Sequence, residues 1–224
     1  LRQLGYRVDT PNDRLPAVIH TEGRRTASCQ VDISESSQFA SALLLCAEAG
    51  TWSVTIAGDS ADHAPYVEMT AALIDSFPKA GGRFLIEPDA SGGSYFWGAS
   101  WLQNQTLPDG SSHSVTVNHW PTSGWQIDAR FAELARRNES SLPGLSREQD
   151  LGDAIMTAIT LAPHSRSPVS FHDLGRLRLQ ECERVTALRT ELTRCGAQIE
   201  ETGDTLTVSP SAQSLHGAEI ETYN

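Results

Sequence analysis

Three adjacent side chains, Ser36, Ser37 and Gln38, place two hydroxyls and an amide where the chain turns into an apolar segment. The residues at 39–47 are good helix formers, so the sequence predicts a helix that begins at these serines. One serine is enough to cap a helix, and two serines with a glutamine offer more polar groups than a cap needs. Together with the unpaired backbone N–H groups of a first helical turn, they form a candidate anion site. A simple helix cap is the alternative interpretation.

The pattern around these residues predicts alternating strands and helices. Three apolar helices that begin near Ser36, Ser91 and Asp153 each follow an extended segment, which indicates repeated units of strands and helices. The fold class is therefore α/β or α+β, with mixed sheets and helices buried between them. The predicted strands are residues 6–9, 17–20, 26–31, 51–57, 83–86, 114–118, 167–172, 198–201 and 205–209. Further helices are predicted at 65–77, 95–102, 126–137, 154–162 and 181–194, and a loop at 138–149.

Composition narrows the class of protein. The 224 residues are 39% hydrophobic and carry a net charge of −11, which argues against nucleic acid or an anionic membrane as partner. No apolar run approaches the length of a membrane span.

The four cysteines have no paired spacing and are interpreted as reduced thiols of a cytoplasmic protein, with Cys46 in the core. The seven histidines are scattered and lack the spacing of a metal-binding motif, so no metal site is predicted. The chain opens without Met on what looks like the last turn of a helix, so we expect that it is not a natural N-terminus.

Several short motifs follow one another along the chain. They include Asp-Ile-Ser-Glu-Ser-Ser-Gln-Phe at 32–39, Pro-Tyr-Val-Glu-Met-Thr at 65–70, Glu-Pro-Asp-Ala-Ser at 87–91, Asp-Ala-Ile-Met-Thr at 153–157, Arg-Leu-Gln-Glu-Cys-Glu-Arg at 178–184 and Ile-Glu-Thr-Tyr-Asn at 220–224. In this order they resemble the EPSP synthase (3-phosphoshikimate 1-carboxyvinyltransferase) family of enolpyruvyl transferases. Each motif is weak alone, and their common order over nearly the whole chain is what makes the resemblance specific.

The resemblance implies a fold of two halves, each built from repeated βαβαββ units, with ligands in the cleft between them. Residues 1–86 would belong to the half that binds shikimate 3-phosphate, and residues 87–224 to the other. The implied reaction transfers the enolpyruvyl group of phosphoenolpyruvate to the 5-hydroxyl of shikimate 3-phosphate. It requires no metal or other cofactor, and the expected enzyme is a cytoplasmic monomer.

The resemblance also implies roles for individual residues. Ser36, Ser37 and Gln38 would hold shikimate 3-phosphate, with Tyr66 nearby. Asp153 would orient the 5-hydroxyl and is the candidate base. In the remaining motif, Glu181 would transfer a proton near the enolpyruvyl carbon, and Arg184 would bind phosphoenolpyruvate. Each of these residues also has a plainer interpretation: Tyr66 as a core residue, Asp153 as a helix cap, and Glu181 with Arg184 as a surface ion pair.

The chain departs from the family pattern at three predicted substrate-binding positions. Gln180 stands where the family has Lys, Arg176 where it has Asn, and His63 where a substrate-binding Ser is usual. A glutamine loses the charge-assisted hydrogen bond of a lysine, worth about 1.5–3 kcal/mol, although Arg176 could supply a charge from another position. The N-terminal Lys-Ser and C-terminal Asp-His-Arg segments of the family are not among these residues, so we expect the isolated chain to be inactive or weak. The alternatives are an enolpyruvyl transferase with another acceptor and a non-catalytic binding domain.

Overall fold

The computed structural model describes residues 1–34, 36–58, 64–106, 115–136, 144–211 and 215–223. The chain divides into two compact units, Leu1–Phe84 and Leu85–Asn224. The boundary predicted from the sequence, between residues 86 and 87, lies two residues further along. The assignment of each unit to a substrate stays a prediction.

The first unit contains a parallel pair of strands connected through a helix. Its elements are β1 (Arg7–Asp9), β2 (Val18–His20), β3 (Ala27–Asp32), α1 (Ser37–Gly50), β4 (Trp52–Ala57) and α2 (Ala64–Ser76). Strands β1 and β2 are antiparallel, whereas β3 and β4 are parallel and therefore need α1 as a crossover. Helices α1 and α2 pack against each other, and the Ser41 and Thr70 hydroxyls, 2.9 Å apart, form a hydrogen bond between them.

The buried core of the first unit is small. One cluster is formed by Ile33, Ala40 of α1 and Val67 of α2. Leu4 and Cys29 are also buried. The opposite side of α1 is apolar and exposed, with Phe39 63% and Leu45 60% accessible. The prediction that Cys46 belongs to the core is wrong, because it lies on this exposed side of the helix.

The second unit has the larger core and the more complete sheet. Its elements are α3 (Ala90–Thr106), α4 (Phe131–Arg136), β5 (Leu145–Ser146), α5 (Ile155–Leu161), β6 (Val169–His172), α6 (Arg184–Arg194), β7 (Gln198–Thr202) and β8 (Thr205–Ser209). From β5 onward the order is β-α-β-α-β-β. The strands form one sheet in the order β5-β6-β8-β7, in which β5 and β6 are parallel and the other neighbours are antiparallel.

Helix α5 lies at the centre of the second unit. Its residues Ile155, Ala158 and Ile159 are fully buried: α3 and α6 pack against the helix, and these residues share one hydrophobic cluster with buried residues of the sheet. A buried hydrogen bond of 2.7 Å joins Ser94 on α3 to Thr157 on α5. A helix that is apolar and covered in this way packs as core, so its N-terminal end has a well-fixed position.

Two predicted strands are absent from the residues that the structure describes. Residues 83–86 have no neighbouring strand, and Leu85 and Ile86 are exposed. Residues 115–118 are not a strand either, and the Val115 N–H donates to the Ser100 hydroxyl at 3.2 Å; Ser114 lies outside the described residues. A local β pattern needs a partner strand to satisfy its backbone, and neither segment has one here.

Three boundaries in the second unit also differ from the prediction. The helix expected at 126–137 is a 3-10 turn at Ile127–Arg130 followed by α4, and Arg137 lies outside the described residues. The predicted loop at 138–149 is described from Gly144, where it forms β5 and the start of a π-helical turn, Arg147–Leu151. Helix α6 begins at Arg184 instead of residue 181, because the Glu183 carboxylate accepts from the Thr186 N–H and caps it there.

The α/β class is confirmed by these elements. Among the described residues no helix combines the length and the apolar character needed to span a bilayer. The same residues contain no group of three or more His, Cys, Asp or Glu side chains arranged to hold a metal ion.

Candidate active site

The serine-rich turn forms a capped helix start, as the sequence predicts. The Ser36 hydroxyl accepts from the Gln38 N–H at 3.2 Å, and Ser36 is the N-cap of α1. Ser37 is buried, whereas the Gln38 side chain is exposed. Just before this turn, the Asp32 carboxylate accepts from the Ser34 N–H at 2.7 Å, and this hydrogen bond lowers the pKa of Asp32. Anion binding by these three residues stays a prediction.

Tyr66 lies on α2, beside the helix that Ser36 caps. The Thr70 hydroxyl that reaches α1 also donates to the Tyr66 carbonyl. The hydrogen bond between the helices joins Ser41 to Thr70. Ser37 lies one helical turn before Ser41 on α1, and Tyr66 lies one turn before Thr70 on α2. Tyr66 is half-buried, in agreement with either a core or a substrate role. His63 lies outside the described residues.

In the second unit, Asp153 lies at the start of α5 and is held by a residue that the sequence analysis missed. The Arg147 guanidinium donates to Asp153 Oδ1 from Nη2 at 2.8 Å and from Nε at 3.3 Å. The Arg147 side chain is 3% exposed and that of Asp153 is 27% exposed. A guanidinium this deeply buried must be paired, so it holds the Asp153 carboxylate firmly.

The capping role that the sequence allowed for Asp153 belongs to a different carboxylate. Asp128 Oδ1 accepts from the Ala154 N–H at 2.8 Å, and Asp128 is only 5% exposed. Burial raises the pKa of Asp128 to about 6, the charge of Asp153 adds to the rise, and the hydrogen bond from Ala154 opposes it. Asp128, three and four residues before the apolar Phe131 and Ala132, lies on the buried face of its segment, a signal that the sequence does contain.

The other predicted residues of the second unit meet in the loop before α6. Arg184 donates from Nη1 to Gln180 Oε1 and from Nη2 to Glu181 Oε2. Glu181 precedes the helix and is 63% exposed, while Arg184 is its first residue and is 24% exposed. A lysine at position 180 could not accept from Arg184, because an ammonium group has donors only. Gln180 therefore gives the Arg184 guanidinium a hydrogen-bond acceptor within the protein.

A neighbouring arginine from the same motif has a structural position. Arg178 forms ion pairs with Glu183 at 2.7 Å, Glu201 at 2.8 Å and Asp204 at 3.2 Å. These contacts fasten the start of α6 to the β7–β8 hairpin, which fixes the loop that carries Gln180 and Glu181. Arg176, two residues earlier in a 3-10 turn, is half-buried, and its substrate role stays a prediction.

These contacts define two kinds of site. In the first unit, two serines and a glutamine lie at a helix N-terminus, and residues of these types suit an anion. In the second, the Asp153 carboxylate is fixed by the buried Arg147 guanidinium, and a separate Glu–Arg–Gln cluster precedes α6. A fixed carboxylate can accept a proton, and arginines bind phosphate or carboxylate, so the residue types suit a transferase that handles anionic substrates.

Comparison with known proteins gives the family. The model of the EPSP synthase (3-phosphoshikimate 1-carboxyvinyltransferase) family matches residues 1–80 and 78–224. The 3-phosphoshikimate 1-carboxyvinyltransferase of Proteus mirabilis is 31% identical over 258 residues, covering 100% of this chain and 59% of the relative. That of Opitutus terrae is 30% identical over 247 residues, with 100% and 56% coverage. That of Aeromonas salmonicida is 29% identical over 236 residues, with 93% and 55% coverage.

The chain belongs to the EPSP synthase family, and the resemblance inferred from its motifs is confirmed. It spans between 55% and 59% of the length of these curated relatives. The residues that the motifs marked lie within the matched ranges, and so do Arg147 and Asp128, which no motif marked.

Proposed function

We propose that the protein carrying this chain transfers the enolpyruvyl group of phosphoenolpyruvate to the 5-hydroxyl of shikimate 3-phosphate, in the pathway to chorismate and the aromatic amino acids. The observation that carries the proposal is the family match, which runs through every residue with a proposed role. The reaction breaks the C–O bond of phosphoenolpyruvate and releases phosphate. It needs a base for the hydroxyl, an acid for the methylene carbon, and cations or N–H groups for the substrate charges.

In this proposal the first unit binds the acceptor. Ser36, Ser37 and Gln38 take the 3-phosphate at the start of α1, with Tyr66 beside them and His63 at the position of a usual serine. The length of α1 supports it, because 14 residues are enough for a developed helix dipole at the N-terminus where these residues lie.

The second unit supplies the reacting groups. Asp153 accepts the proton of the 5-hydroxyl, Glu181 serves proton transfer at the enolpyruvyl carbon, and Arg184 binds phosphoenolpyruvate. Arg176 and Gln180, which lie in the segment just before α6, contribute to substrate binding. The position of Asp153 at the end of a buried helix, fixed by Arg147, supports its role as base. We further propose a monomer in the cytoplasm.

The test is phosphate release by the complete gene product that contains residues 1–224, supplied with phosphoenolpyruvate and shikimate 3-phosphate. Release that depends on both substrates supports the proposal. Binding of shikimate 3-phosphate without turnover indicates the non-catalytic binding domain instead. A protein that neither binds shikimate 3-phosphate nor releases phosphate would overturn both the proposed transferase and the binding domain. For the 224 residues alone we expect little or no turnover, and substantial activity would contradict that expectation.

A second candidate is an enolpyruvyl transferase with another acceptor. Gln180 favours it, because its amide accepts from Arg184 where a lysine would offer a positive charge. The lysine of the family is absent at position 180, and Arg184 is hydrogen-bonded within the protein. Less positive charge is therefore available to an anionic substrate. Turnover with an alternative hydroxyl acceptor, and none with shikimate 3-phosphate, would establish this candidate.

The role of Gln180 leads to a prediction for Gln180→Lys. The lysine adds a positive charge and frees an Arg184 donor, so the KM for phosphoenolpyruvate is expected to fall about 10- to 100-fold, the effect of one charge-assisted hydrogen bond. Steady-state kinetics of the complete gene product measure it. Gln180→Met, which frees Arg184 without adding charge, is the matched control and should have a smaller effect. An unchanged KM in Gln180→Lys would place position 180 away from the substrate.

A further inference from the structure

The Asp153 carboxylate is held asymmetrically. Both hydrogen bonds from Arg147 end on Oδ1. In the parts of the chain that the structure describes, Oδ2 receives no hydrogen bond, and the side chain is 27% exposed. One oxygen is thus fixed to a buried cation, and the other remains available to a ligand.

The neighbouring residues relieve Asp153 of a helix-capping role. The backbone N–H that follows it, of Ala154, is already bonded to Asp128. Helix α5 therefore does not need the Asp153 side chain as a cap, and the 3-10 turn that contains Asp153 has no side-chain cap hydrogen bond at its start. Among the described residues this carboxylate caps no helix and is paired through Oδ1 alone, so it is suited to contact a substrate.

The path of the chain explains how Arg147 reaches Asp153. Arg147 follows β5 directly and starts the π-helical turn, and Gly152 closes that turn at φ 55 and ψ −135. This conformation is essentially restricted to glycine, and it turns the chain so that residue 153 meets residue 147. The sheet anchors one end of this loop through β5, and the buried α5 anchors the other, so the pair joins two rigid elements.

We propose that Arg147 is a positioning residue for enolpyruvyl transfer: it binds Oδ1 of Asp153 so that Oδ2 is directed at the hydroxyl of the acceptor. The inference rests on the proposed function. Removing Arg147 leaves the Asp153 carboxylate in place but lets it rotate, and misplacement of a reacting group by about 1 Å can cost about 100-fold in rate.

Arg147→Met tests this role in the complete gene product. It keeps the length of the side chain and removes the charge and the donors. We expect kcat to fall about 10- to 100-fold while the KM for shikimate 3-phosphate changes less than about 3-fold. Arg147→Lys, which retains a charge but lacks the fork of donors, should recover part of the rate. In an Asp153→Asn background, Arg147→Met should cause no further loss beyond about 2-fold, because both act through one carboxylate.

Arg189→Met is the matched control, since Arg189 is paired with Glu201 at 2.9 Å and has no contact with Asp153 in the described structure. Its kcat should equal that of the unmodified protein. If Arg147→Met does not fold, Arg147→Lys decides, with an expected loss of about 3- to 10-fold in kcat. If the variant that folds has an unchanged kcat per folded molecule, the positioning role of Arg147 is overturned and the proposed function still stands. Absence of phosphate release from the unmodified protein overturns the proposed function and this role with it.

Discussion

Asp153→Asn is expected to lower the kcat of phosphate release about 1,000-fold in the complete gene product. Asparagine has almost the same shape and can still accept a hydrogen bond from Arg147, but it cannot take up the proton of the acceptor hydroxyl. General bases contribute about 100- to 10,000-fold to rates, and this residue is the candidate base. The KM for shikimate 3-phosphate should change little, because the amide still bonds to the hydroxyl.

The substitution also leaves the buried guanidinium of Arg147 without an anionic partner. Some loss of stability is therefore expected, reduced by the partial exposure of Asp153. Urea denaturation alongside the kinetics separates the two effects. Asp13→Asn is the matched control: Asp13 is also paired with an arginine, Arg2 at 2.7 Å, but it lies on the surface of the first unit. A kcat within about 10-fold of the unmodified protein would exclude Asp153 as the base.

Much of the fold could be predicted because its elements have local signals. Strand β3, the serine cap of α1 and strand β4 follow from alternation and from N-cap preferences, which depend on neighbouring residues only. The same reasoning failed at residues 83–86, where the local pattern suits a strand and the described part of the chain offers no partner strand. It also missed β5, two residues long, which exists only because it pairs with β6.

The candidate site divides in the same way. Ser36, Ser37 and Gln38 carry their signal in adjacent residues, and Asp153 and Arg184 were marked by motifs. Arg147 has no such signal. It follows a strand too short to detect, and its position beside Asp153 depends on the turn that Gly152 closes. Long-range contacts also decide which carboxylate caps α5, because Asp128 comes from a segment 26 residues earlier.

The pKa of Asp128 gives the second large prediction, which concerns stability. Its folded value of about 6 lies above the ordinary value of 3.8, so the folded protein binds this proton more tightly than the unfolded chain does. The contribution of Asp128 to the free energy of unfolding is therefore greatest below about pH 4, is lost as the pH rises through about 6, and stays lost above it. A difference of about two pKa units corresponds to about 3 kcal/mol.

Asp128→Asn removes the buried charge and keeps an oxygen that can accept from the Ala154 N–H. Its free energy of unfolding is expected to exceed that of the unmodified protein by about 2–3 kcal/mol above pH 7, with the difference vanishing near pH 4. Asp128→Ala, which removes the charge and the cap together, should be about 1 kcal/mol less stable than Asp128→Asn. Urea denaturation at several pH values measures all three proteins. A gain in Asp128→Asn that is the same at pH 4 and pH 8 would contradict the ionisation argument, because an effect of packing or helix capping alone does not follow the proton.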